Sequence, residues 1–300
     1  MNTRIIDGRA GKTCCYVNNQ GNEGTPILVL HGGPGFGSDP ILTEVLGIKN
    51  PMYFYDQYGS KNSDTFSDSS RYTVELFIEQ IDDVREEFGL DEIILMGMCW
   101  GAGLAVSYSA RKNVKGIKAL ILSSPFLSLE LWEKDQQTNL SYLSESDRST
   151  IQRYETERLY SIGYRKSLIP YFQNYYFTRG DVTLISHLVF GHQPEVYRTT
   201  WGDSELFCRG SLKDFDLMGV IPNIACPVLL VAGDRDVVRT ETMKVYQNRF
   251  QDAQLAIIPS SGHMIYNEQL SIVKAVIKSF VKEIDNCPKK NLPSSIRSSL

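Results

Sequence analysis

The residues best equipped for chemistry in this chain are Cys99, Asp236 and His263, with Gly33 and Trp100 as their backbone accomplices. Cys99 stands inside GMCWGAG, Gly97 to Gly103, after the apolar run EIILM and before LAVSY. That order reads as a strand entering a sharp turn and leaving as a helix, with one nucleophile at the corner where G-x-S-x-G carries serine. A thiol there sits at a helix N-terminus, whose dipole favours thiolate. Gly97, Gly101 and Gly103 are small enough to let the strained turn pack against its neighbours. His263 ends an SSGH turn, where it would take the proton of Cys99 and later protonate a leaving group. VAGDRDVV offers Asp234 and Asp236 to hold the imidazole, and Asp236 is preferred because it lies further past the strand end. HGGPG, His31 to Gly35, directly follows ILVL; its glycines and proline force the backbone to turn and expose amides. Gly33 N–H and Trp100 N–H are then the expected donors to a developing oxyanion. Each fragment alone is weak, but all of them fall in order at strand ends, where open parallel sheets place ligands.

Positioning these residues requires alternating strands and helices. Strand candidates are Pro26–Leu30, Met52–Tyr55, Glu92–Met96, Ile117–Leu122, Pro227–Ala232 and Ala253–Ile258. Continuous apolar runs such as ILVL and PVLLVA suit parallel strands covered on both faces. In TVELFIEQIDDVREEFGL, apolar residues recur at helical spacing, with Thr73 as N-cap and Gly89 just past the end. A last helix is predicted from about Glu268 to Ile284. The expected class is α/β, a mostly parallel sheet with helices on both faces. Alternation breaks in 126–213, a tyrosine-rich helical stretch read as an inserted cap. The core is therefore assigned to 1–125 and 214–285, and the polar, proline-bearing 286–300 to a flexible tail.

Composition narrows the classes. The chain has 300 residues, 42% hydrophobic and 22% charged, with a net charge of −4, so nothing argues for nucleic acid or an anionic membrane as partner. No apolar run approaches a membrane span, and the first residues lack a signal-peptide core, so a cytoplasmic location is expected. The six cysteines form no C-x-x-C pair, and apart from Cys99 most of them read as free thiols buried as small hydrophobes. His187 and His192 lie in the cap without metal-ligand spacing; no metal or organic cofactor is expected.

With these motifs in hand, the chain resembles the proline iminopeptidase (prolyl aminopeptidase) family of α/β-hydrolases over roughly 24–283. The likeness rests on HGGPG at 31–35, DQYGSKNS at 56–63, GMCWGAGLA at 97–105, WGDSELFCRGSLKDFD at 201–216, GDRD at 233–236 and SGH at 261–263. It implies an α/β-hydrolase fold with a helical cap, Cys99, Asp236 and His263 as triad, and Gly33 and Trp100 as oxyanion donors. It also implies that Glu205, in WGDSELF, binds the substrate's free amine; Trp201, among the cap aromatics, is taken as a further substrate-binding residue. The chain departs from the family pattern at Cys99, where serine is usual, and at Val237, where a second acid is common. Tyr58 and Lys61 also differ from the usual residues. The cap aromatics Trp132, Tyr175, Tyr176 and Trp201 fit either a pocket lining or a cap core.

Three functions remain open on these residues. One is an amide or peptide hydrolase acting through an acyl-enzyme on a small substrate with a free amine; Cys99 is then either native or a replaced serine. The second is a cysteine-dependent acyltransferase or thioesterase of specialised metabolism, since a thioester favours attack by amines. The third is a non-catalytic binding protein on the same scaffold. The expected partner is a small molecule or short peptide, and the oligomeric state is left open.

Overall fold

The structure is a computed structural model and describes residues 1–18, 23–180, 182–191 and 193–287. Among the described residues, eight strands form one sheet: β1 (Asn2–Asp7), β2 (Lys12–Asn18), β3 (Ile27–Leu30), β4 (Met52–Tyr55), β5 (Ile93–Met98), β6 (Ile117–Ser123), β7 (Val228–Gly233) and β8 (Ala253–Ile258). Their spatial order is β1-β2-β4-β3-β5-β6-β7-β8. From β4 to β8 every pairing is parallel, while β1 and β2 run antiparallel at one edge.

Alternation along the central strands feeds two cores, because successive side chains leave a strand on opposite faces. Leu28, Leu30, Leu95, Leu120, Leu122 and Leu230 pack on one face with α2 (Val74–Phe88) and α3 (Trp100–Ser109), after α1 (Leu42–Leu46) in the chain. Ile27, Val29, Ile94, Met96, Ile121 and Leu229 pack on the other face against α1 and the last helix. Helix α2 starts where its sequence says: Thr73 Oγ1 accepts from Leu76 N at 3.2 Å, and Gly89 closes the end at φ 60°.

Between β6 and β7 the described residues hold helices and no strand: α4 (Leu129–Ser141), α5 (Glu145–Glu157), α6 (Ile162–Ser167), α7 (Ile169–Tyr175), α8 (Val182–Phe190) and α9 (Glu195–Thr200). After β7 come α10 (Thr240–Arg249), α11 (Ile265–Glu268) and α12 (Leu270–Asn286). Among the described residues no helix is long and apolar enough to cross a membrane.

Four expectations need correction. The β1–β2 hairpin was not among the strand candidates, because only Ile6 of β1 is buried and the edge strand has no apolar run to read. Strand β5 continues two residues past Met96, so the turn at Cys99 is tighter than expected. The last helix, expected from about Glu268, is present as α12 but starts at Leu270, because Gln269 at φ −136° is not helical and separates it from the short α11. Asn286, assigned to the tail, is the last residue of α12, and 288–300 lie outside the described residues.

Candidate active site

Cys99 occupies the single residue between β5 and α3 at φ 52° and ψ −113°. An L-residue adopts such a left-handed backbone only where the surroundings enforce it. Here they do: Cys99 N donates to Ser123 O at 2.9 Å, and Phe126 N donates to Cys99 O at 3.2 Å, pinning the corner to the end of β6. A side chain at Gly101 would strike the Leu30 carbonyl, and one at Gly97 would strike the α3 backbone. Glycine is thus required on both sides of the thiol for close approach rather than for flexibility.

The loop after β7 and the turn after β8 supply the other two groups. His263 Nδ1 lies 2.8 Å from Asp236 Oδ1. Asp236 is 3% exposed and also accepts from Ser124 Oγ at 2.5 Å and Val238 N at 3.2 Å. Asp234 is exposed and instead accepts from Ser260 N and Ser261 N, holding the turn that carries His263. The choice between the two aspartates thus follows from burial and geometry. Burial alone would push the His263 pKa down; the Asp236 charge and hydrogen bond, with a hydrogen bond to Cys99 and its charge, push it up to about 10. His263 N donates to Tyr175 O at 2.7 Å, so the histidine turn is also tied to the helices above it.

Cys99 and His263 face a cavity of about 290 Å³ whose lining also includes Gly33, Trp100 and Ser124. Among the described residues neither the Gly33 nor the Trp100 amide donates to another backbone group. The roof comes from the helices between β6 and β7 and is aromatic: Trp132, Phe172, Tyr176, Tyr197 and Trp201. The alternatives of pocket lining and cap core merge here, for Trp201 is 6% exposed and stands edge-to-face with both Phe126 and Trp132 while lining the cavity. Tyr175 is different: it stays out of the lining, and its hydroxyl donates to Asn139 O.

Glu205 is the roof's carboxylate. It accepts from Gln193 Nε2 at 2.6 Å and Tyr197 OH at 3.1 Å. Burial pushes its pKa up, against the lowering effect of those hydrogen bonds and of Arg165. Val237 is fully buried and outside the lining; its carbonyl accepts from Gln136 and Asn139. Ser124, at φ 47° beyond β6, was missed in the sequence; its signal was the SSP step after an apolar run, the same strand-end position as the other site residues. His187 is exposed, and His192 lies outside the described residues. Of the other cysteines, Cys14, Cys15 and Cys208 are buried thiols, Cys226 is half-buried and Cys287 exposed, so most of them are buried as expected. Among the described residues no cluster of His, Cys, Asp and Glu could hold a metal ion.

Comparison with known proteins matches residues 25–269 to the alpha/beta hydrolase fold model. A proline iminopeptidase of Heyndrickxia coagulans is 31% identical across 93% of this chain and 98% of its own length. One from Clostridioides difficile is 29% identical over 86% of this chain and 90% of its own. Among solved structures, the proline iminopeptidase of Mycobacterium smegmatis superposes with a TM-score of 0.83 at 22% identity, covering 95% of this chain and 99% of that one. The structure of VinJ gives 0.86 at 21%, covering 94% and 99%. With a matching fold over most of its length and that degree of identity along nearly the whole chain, this protein belongs to the proline iminopeptidase family of α/β hydrolases.

Proposed function

We propose that the protein hydrolyses a small peptide or amide bearing a free amine, through a thioester on Cys99. The observation that carries this reading is the convergence of Cys99 and the His263–Asp236 pair on one aromatic cavity with a carboxylate, Glu205, in its wall. The substrate ammonium pairs with Glu205, and its carbonyl oxygen lies toward the Gly33 and Trp100 amides. Cys99 Sγ adds to the carbonyl carbon as the C=O π pair moves onto oxygen. His263, whose pKa is pushed up to about 10, holds the thiol proton until the C–N bond breaks and the amine takes it. Water, deprotonated by His263, then cleaves the thioester. Trp201 shapes the wall against which the acyl group rests.

The thiol favours a second reading: transfer of the same acyl group to an amine, to which a thioester is more reactive than an oxygen ester. Both readings are tested by comparing the protein with Cys99→Ser on prolyl and alanyl amides while recording intact mass. Turnover by the cysteine form with loss in the serine form supports a working thiol. Rapid turnover by Cys99→Ser, with a stalled adduct on Cys99, makes this a serine peptidase disabled by substitution. Faster product release with added amine than in water selects transfer. A thiol that forms no adduct with any amide or ester overturns both.

A further inference from the structure

The two amides assigned to the oxyanion lie on different parts of the chain, Gly33 in the loop after β3 and Trp100 at the start of α3. Their cooperation depends on holding those parts at one spacing, because a donor stabilises the oxyanion only within about 2.7–3.1 Å of it. One buried side chain spans both. Gln57, just past β4 and fully buried, donates from Nε2 to His31 O at 2.9 Å and accepts at Oε1 from Trp100 Nε1 at 3.0 Å. Its own backbone N–H donates to His31 Nε2 at 2.9 Å. That contact makes Nε2 an acceptor, so the ring proton sits on Nδ1 and is donated to Gly32 O at 2.7 Å. The Gly32 carbonyl and the Gly33 N–H belong to one peptide plane and point in opposite directions. Anchoring the carbonyl therefore aims the amide.

Resting on the reading that these amides receive the carbonyl oxygen, we propose that Gln57 is a positioning residue that sets the spacing and orientation of the two oxyanion donors. A primary amide suits the task, because it offers a donor at one end and an acceptor at the other, and both ends are used. Leaving either end unpaired in this buried place is costly, so the side chain resists a shift of one loop against the other.

Two variants separate positioning from mere support. Gln57→Met keeps much of the shape and removes both side-chain hydrogen bonds; Trp100→Phe removes the indole N–H and leaves the Trp100 backbone amide in place. Each is assayed for acylation of Cys99 by a prolyl ester or amide and for alkylation by iodoacetamide. Alkylation displaces iodide from a tetrahedral carbon and generates no oxyanion, so it reports thiolate and fold alone. The expected result is a roughly 10- to 100-fold fall in acylation and kcat, with KM and alkylation unchanged, and a double variant no worse than Gln57→Met. Acylation at the unmodified rate in Gln57→Met overturns the proposal, and so does a parallel fall in acylation and alkylation in both variants. A wild-type Cys99 that alkylates but is never acylated instead overturns the hydrolase reading on which it rests.

Discussion

The floor and the roof of the cavity are built on different principles. The floor consists of loops at the ends of β3, β5, β7 and β8, where backbone geometry does most of the holding: a left-handed Cys99, glycines with no room for a side chain, and an Asp236 with a partner at each oxygen. The roof consists of side chains on short helices, aromatic ring against aromatic ring, with one carboxylate among them. Hydrogen bonds and strained turns are directional and leave few alternatives, whereas ring contacts tolerate re-lining at small cost. On the proposed function, the floor would then fix the reaction and the roof would choose the substrate.

If that division holds, substitutions in the floor act on kcat and substitutions in the roof act on KM. The largest effect is expected for His263→Ala, with kcat lowered roughly 10⁴-fold or more and KM little changed. Retention of more than a small fraction of the rate in steady-state assays would remove the histidine from the reaction.

Glu205→Gln tests the roof. For a substrate with a free amine, KM is expected to rise roughly 10- to 100-fold, as when one member of a buried ion pair is lost. The matched substrate lacking the amine should show no change, with kcat similar for both. Because burial raises the Glu205 pKa, the wild-type KM should also begin to climb, as pH falls, at a pH above the ordinary glutamate range. An equal effect on both substrates would reduce Glu205 to a packing residue.

The same division explains what was legible in the sequence. Floor residues announce themselves, since a strand end that must turn sharply needs Gly33, Gly97 or Gly101, and the groups that react sit next to those glycines. Asp236 could be preferred over Asp234 for the same reason, its distance past β7. Ser124, Gln57 and His31 were harder to assign roles, because their hydrogen-bond partners lie on other strands and no local pattern encodes a pairing 26 or 112 residues away. In the roof, tyrosine and tryptophan at helical spacing look alike whether they line a cavity or fill a core; Trp201 does both, and Tyr175 does not reach the cavity. The edge strand β1 was invisible, since a strand with one buried residue carries no periodic signal.

The smallest expected effect concerns stability, and it separates floor from roof by sign. The His263 pKa stands at about 10, above its ordinary value of about 6.5, so the folded protein holds that proton more tightly than the unfolded chain. The stabilisation is complete below about pH 6.5 and disappears as pH rises through about 10. Glu205 is also raised, but its charged form is the one that burial disfavours. Its stabilising contribution is present below the ordinary glutamate pKa and disappears as pH rises through the raised one, so at neutral pH the charge costs stability. In melting curves followed against pH, His263→Ala should lie below the wild type by a few degrees at pH 6, a gap that narrows toward pH 10. Glu205→Gln should match the wild type in acid and exceed it at neutral pH. Shifts of the same sign in the two variants would mean that the floor's charged pair and the roof's carboxylate are held alike, and the distinction between them would fail. Opposite signs would show that the roof carries a charge that costs stability at neutral pH while the floor's charged pair stabilises the fold.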